Sequence, residues 1–163
     1  MKIQIIVGHL FTLLLGGLIY ILFRQDTLKM FSWFDNINLS TVISKLRLRT
    51  VPLSGHFPNW FLYSLPDGLW LFSYLSGFLV VWDNVISKHN IYWLLSIPMV
   101  AILSEIGQFF EIVPGTFDIF DLLFYILGTI LPILIFTNSK KYLNNLLENT
   151  IDNKWFKHPS NRL

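Results

Sequence analysis

The hydrophobic positions of this chain fall into four blocks separated by polar and basic stretches. Residues 3–23, IQIIVGHLFTLLLGGLIYILF, form an apolar run of 21 that reaches roughly 30 Å as a helix, the thickness of a bilayer's hydrocarbon core. The run follows Lys2, lacks a small-residue cleavage site before Arg24 and exceeds a signal-peptide core, so it reads as an uncleaved anchor. A second block, 65–82, opens at Ser64-Leu65-Pro66-Asp67, where Ser64 can cap, Pro66 suits the first turn and Asp67 complements the helix dipole. The third, 91–110, contains Pro98, which predicts a kink and a carbonyl freed for another partner. The fourth, 119–137, follows the turn signal Pro114-Gly115 with Thr116 or Asp118 available as cap. The short connection before it predicts that the last two spans form an antiparallel hairpin.

The segments outside the blocks are of two kinds. Residues 24–64 mix aromatic and basic side chains, as in Leu28-Lys29-Met30-Phe31-Ser32-Trp33-Phe34 and Lys45-Leu46-Arg47-Leu48-Arg49. That mixture suits the headgroup region, and a short folded cap over the bundle is equally compatible. In 138–163, Leu143, Leu146, Leu147 and Ile151 recur at helical spacing among Lys and Asn, which predicts an amphipathic tail lying on the membrane surface. Composition agrees with the pattern: 53% hydrophobic and 13% charged residues are incompatible with an ordinary soluble domain. The expected fold is all-α, an integral membrane four-helix bundle over 1–137 with an interfacial first loop, followed by the tail.

A net charge of +2, with the basic residues beside hydrophobic blocks, gives no nucleic-acid-binding patch. The basic residues speak to topology instead. Lys2, Lys88, Lys140, Lys141, Lys154, Lys157 and Arg162 fall on the side of the termini, and Arg24, Lys29, Lys45, Arg47 and Arg49 on the other, which favours cytoplasmic termini. With no cysteine, disulfides, thiolate catalysis and thiolate metal sites are removed, and any metal would bind oxygen or imidazole.

Candidate chemistry lies in acids within the blocks, because an ionised carboxylate at mid-membrane costs about 2.5–3.5 kcal/mol even on the mildest scale. Glu105 lies deeper in its span than Asp121 does. Glu105 and Gln108 share a helix face by their spacing; Asp118 and Asp121 repeat it on the next helix, and that face continues through Tyr125 and Gly128. Asp67 and Glu111 fall at the same membrane side. The plainer reading makes Asp67 and Asp118 helix starters, Glu111 a solvated loop residue, and Glu105 with Gln108 interhelical hydrogen-bonding partners. His9, with no acid expected near it, reads as structural, Gly16 and Gly17 as close-packing positions, and Trp70, Tyr74, Trp82, Tyr92 and Trp93 as anchors and packing.

Ser104-Glu105-Ile106-Gly107-Gln108, then Pro114-Gly115-Thr116-Phe117-Asp118-Ile119-Phe120-Asp121 and Gly128, resembles the VanZ-like family of small bacterial membrane proteins. That family typically carries Glu-x-x-Gln late in one helix, a turn, Asp-x-x-Asp opening the last helix and a glycine further along it. Asp67 resembles its acid in an earlier helix. The likeness covers 60–137 loosely and 104–128 well. This chain lacks the family's arginine in the turn, has Tyr125 where an asparagine is common, and has Gly68 and Leu71 where Lys and His commonly follow the earlier acid. Arg24, Arg47, Arg49 and His56 are the available substitutes for the missing basic partners.

The resemblance implies a multi-pass protein of the bacterial inner membrane and cell envelope, some of whose relatives are associated with reduced susceptibility to glycopeptide antibiotics. Combined with the acids, it leads to the expectation of an acidic intramembrane pocket, formed by Glu105, Gln108, Asp121, Asp118, Asp67 and Tyr125, that binds a membrane lipid or another amphiphilic, lipid-linked envelope ligand. An intramembrane hydrolase using these carboxylates, alone or through magnesium or manganese, is the alternative, and a proton-coupled carrier titrating at Glu105 is a third reading. The chain has no internal repeat, and self-association would supply one. The residues assign no cofactor and no particular catalytic group.

Overall fold

The computed structural model describes residues 1–25 and 28–137, so the amphipathic tail expected over 138–163 lies outside the described residues. The described residues form helices α1 (Gln4–Phe23), α2 (Lys29–Asn36), α3 (Ser40–Thr50), α4 (Asn59–Val81), α5 (Ile91–Phe109) and α6 (Ile119–Phe136), with a 3-10 segment at Val51–His56. Four of them, α1, α4, α5 and α6, are long and apolar enough to cross a membrane. The four hydrophobic blocks of the sequence are these four helices, and most of their large apolar side chains face outward, as lipid-facing surfaces do.

The second block departs from its expected boundary. Its helix does not begin at Ser64; Pro58 occupies the N-cap position and α4 runs from Asn59, with Pro66 inside it. Hydrophobicity marks where a chain meets lipid, whereas a helix can begin earlier if its first turns are sheltered by protein. Here Phe57 stacks on Phe61 at 5.2 Å and Trp60 on Phe124 at 5.8 Å, so aromatic contacts hold those turns. Asp67 is therefore about two turns inside the helix rather than in its first turn.

Among the described residues, 28–58 fold into α2, α3 and the 3-10 segment, which cap the end of α1. α3 is tied to the end of α1 by Arg47, whose Nη1 donates to the Ile21 carbonyl at 2.6 Å while the guanidinium lies over the Phe31 ring. Because α1 has ended, its last carbonyls have no intrahelical partner, and Arg47 satisfies one of them. The first half of α1, Gln4–Phe11, is wound as a π-helix before the α-helical turns Thr12–Phe23.

Three helices end without the glycine that such ends usually require. After α2, α4 and α5 the chain turns through Asn38, Asp83 and Glu111 at φ 58°, 51° and 58°. Each end closes with the same pair of bonds; at α5 the Ile112 amide donates to the Gly107 carbonyl at 2.8 Å and the Glu111 amide to Gln108 at 3.0 Å.

α4 is the axis of the bundle. It packs against both α1 and α6, and more lightly against α5. Of its most apolar stretch 44% is buried, against 17% for each of the other three long helices. Small residues along α4 permit this. A Cβ on Gly16 of α1 would lie 2.9 Å from the Trp70 ring and 3.0 Å from the Pro66 carbonyl, and one on Gly128 of α6 would collide with the Gly68 carbonyl oxygen. At the end of the bundle away from the cap, Leu75, Leu79 and Leu94 form a buried apolar cluster. The acids Asp67, Glu105 and Asp121 lie toward the cap end, whereas the buried amides Gln4 and Asn90 and the serines Ser73 and Ser76 lie toward the other.

Candidate functional site

The site is built where α4 and α6 cross. Backbone contact at Gly68 and Gly128 sets the two helices close together, and Asp67 and Tyr125 are carried on either side of that crossing. The Tyr125 hydroxyl faces the Asp67 carboxylate, and Asp67 also lies within electrostatic range of Arg24, Asp121 and Glu105. Tyr125 in turn lies within range of Asp67, Asp121, Glu105 and Arg24, so these five side chains share one neighbourhood.

Two of the acids have structural duties that can be named. Asp118 is the N-cap of α6, its Oδ1 accepting from the Phe120 amide at 2.8 Å. Glu105, only 3% exposed, accepts the Asp118 amide on Oε1 at 2.7 Å, so α5 anchors the start of α6 through a charge-assisted bond. Asp121, in the first turn of α6, has a buried Oδ1 without a hydrogen-bond partner. That orphaned oxygen is costly unless something else donates to it.

Of the residues expected at the pocket, Asp67, Glu105, Asp121 and Tyr125 converge and Asp118 adjoins them through its amide. Gln108 is placed differently. Its side chain covers Gly115, where a Cβ would sit 2.7 Å from the Gln108 Cδ, and Gly115 itself has φ 142°, a conformation that disfavours any side chain. Gln108 thus steadies the turn between α5 and α6. α4 brings Asp67 to the residues of the last two spans because α6 packs chiefly on α4.

Among the basic residues that could stand in for the missing partners, Arg24 is the one that reaches the acids. It follows directly on α1, with its guanidinium 5.2 Å from the Tyr20 ring centroid and 5.0 Å from that of Tyr63. Its Nε is buried and makes no hydrogen bond. A cleft of about 440 Å³ opens here, lined by Tyr20, Arg24, Gln25, Leu28 and Tyr63. Sequence reasoning did not single out these tyrosines. The signal was present: Tyr20 precedes Arg24 by one helical turn, and Trp60, Tyr63 and Asp67 share a face of α4 once the helix is known to start at Asn59.

Away from the site, His9 is a packing residue, its Nδ1 lying 2.9 Å from the Ser73 hydroxyl, which donates to the His9 carbonyl at 3.0 Å. At the same end, Gln4 and Asn84 exchange amide hydrogen bonds of 2.7 and 3.0 Å. Among the described residues, no three Asp, Glu or His side chains are grouped so as to hold a metal ion. Comparison with family models, with curated proteins and with solved structures gives no match.

Proposed function

We propose that this chain is a VanZ-like multi-pass protein of the bacterial inner membrane, with cytoplasmic termini, that seats the polar head of an amphiphilic or lipid-linked envelope ligand in its acidic pocket. Asp67, Asp121 and Tyr125 would meet the ligand, and Glu105 with Asp118 would form the wall behind them. The observation that carries this reading is the place of Asp67 inside α4, facing Tyr125 and near an Asp121 oxygen that nothing in the described chain satisfies. Carboxylates whose only task was to start helices would sit at helix ends. Asp118 does so; Asp67 does not.

The test is photo-crosslinking of a single-chain amphiphile carrying a photoactivatable head to the purified protein in detergent. Asp67→Asn and Asp121→Asn should each reduce labelling severalfold while Lys88→Ala, on an exposed turn remote from the cap, labels as the unaltered protein does. Labelling that is the same in both carboxamide variants would refute the proposal.

A further inference from the structure

The site leaves two buried polar atoms of opposite kind unsatisfied: the Nε donor of Arg24 and the Oδ1 acceptor of Asp121. Both lie within electrostatic range of Asp67 and Tyr125, yet they do not bond each other. Arg24 follows directly on α1 and lines the cleft; Asp121, in the first turn of α6, is not among the described residues that line it. An arginine that merely anchored the helix at a membrane surface would extend its whole guanidinium into the headgroups. This one instead has its guanidinium carbon 5.2 Å and 5.0 Å from the Tyr20 and Tyr63 ring centroids, with Nε buried, so that contacts to two rings restrict its orientation. A guanidinium whose orientation is fixed in this way is pre-organised for a tetrahedral oxyanion, because less rotamer freedom remains to be lost when the anion binds.

A purely anionic group would be repelled by the acids beyond Arg24. A head that carries a phosphate and, past it, an N–H donor meets the site's polarity in the right order. We propose that the cleft beside Arg24 takes the phosphate of a zwitterionic, amine-bearing phospholipid-type head, with the ammonium group donating to Asp121 and Asp67. This rests on the pocket reading above and adds the ligand's chemical class to it. The tyrosines flanking Arg24 supply an apolar collar against which the glycerol portion can lie, and Leu28 completes the wall.

The experiment is lipid binding to the full chain in detergent micelles, read by native mass spectrometry, with four probes: dioleoyl-phosphatidylethanolamine, dioleoyl-phosphatidylcholine, dioleoylglycerol and inorganic phosphate. The ethanolamine lipid should bind about tenfold more tightly than the diacylglycerol, equivalent to about 1.4 kcal/mol. It should also exceed the choline lipid, which has the same charges but no N–H donor. Arg24→Gln should remove the preference for phosphate-bearing lipids over diacylglycerol, Arg24→Lys should retain part of it, and Asp121→Asn should remove the preference for ethanolamine over choline. Displacement of the ethanolamine lipid by millimolar inorganic phosphate would assign the anion site to a soluble phosphate and overturn the lipid assignment. Equal binding of all three lipids, or an unchanged preference in Arg24→Gln, would overturn the headgroup assignment. If Asp67→Asn and Asp121→Asn leave crosslinking of the photoactivatable amphiphile unchanged, it is the pocket reading that fails, and the two failures are thereby distinguished. Melting temperatures of each variant separate loss of binding from loss of fold.

Discussion

A methyl group placed at Gly128 tests how the site is assembled. In Gly128→Ala the new Cβ would run into the Gly68 carbonyl oxygen and lie 3.2 Å from the Leu71 Cβ. The chief obstacle is backbone, so no side chain can swing aside, and α4 and α6 must separate by roughly an ångström to restore a normal carbon–oxygen contact. Overpacking of this kind costs about 1–3 kcal/mol, and a backbone obstacle puts this case near about 2–3 kcal/mol. For a chain of this length that corresponds to a fall in Tm of roughly 5–10 °C. Thermal unfolding in detergent, followed by circular dichroism, measures it. Gly17→Ala is the matched control, because nothing lies within 4 Å of a Cβ built there. With no obstacle, helix propensity favours alanine over glycine by about 0.8–1.0 kcal/mol, so this variant should hold or raise Tm. Separation of α4 from α6 also parts Asp67 from Tyr125, so Gly128→Ala should lose amphiphile labelling at temperatures where it is still folded. A Gly128→Ala protein that melts with the unaltered chain, or a Gly17→Ala protein that loses as much as Gly128→Ala, would refute the close-crossing argument.

Substitutions at two further positions probe the wall of the pocket and the turn beside it. Glu105→Gln keeps an acceptor for the Asp118 amide whereas Glu105→Leu orphans that N–H, so the leucine variant should be the less stable by about 1–2 kcal/mol in the same melts; equal stability of the two would show that the bond contributes nothing. Glu111→Gly places at φ 58° the residue that tolerates this conformation and should stabilise the protein by about 1 kcal/mol, a higher Tm being the expected result and a lower one the refutation.

The four long helices were legible because apolar runs of membrane length have few other uses, and the cap of α6 was legible because Asp118 stands directly before such a run. The start of α4 was misread for a physical reason. Ser64-Leu65-Pro66-Asp67 has the composition of a helix start, but the N-cap Pro58 lies six residues before Ser64, and the turns after it are held by stacked aromatics rather than by hydrophobic periodicity. That error made Asp67 look like a helix starter and concealed its partnership with Tyr125. The sequence could name Arg24, Arg47, Arg49 and His56 as available cations but could not choose between them, since the choice depends on how the cap folds. Arg47 is engaged by the end of α1 at Ile21, and Arg24 faces the acids. The Gln4–Asn84 exchange was missed because it joins residues eighty positions apart through helices whose rotation no local pattern specifies.

The burial of α4 also bears on how the protein is made. Its best window has a mean hydropathy of 1.2, against 2.3 for α1 and 2.4 for α6. The helix that carries Asp67 is thus the one least able to partition into lipid unaided, and its polar groups gain shelter only when helices stand on both sides of it. During synthesis α1 emerges before it and α6 after it. In a bilayer, stable residence of α4 would be a cooperative event completed only when α6 arrives, and chains truncated before Ile119 should be recognised by membrane quality control as incompletely inserted.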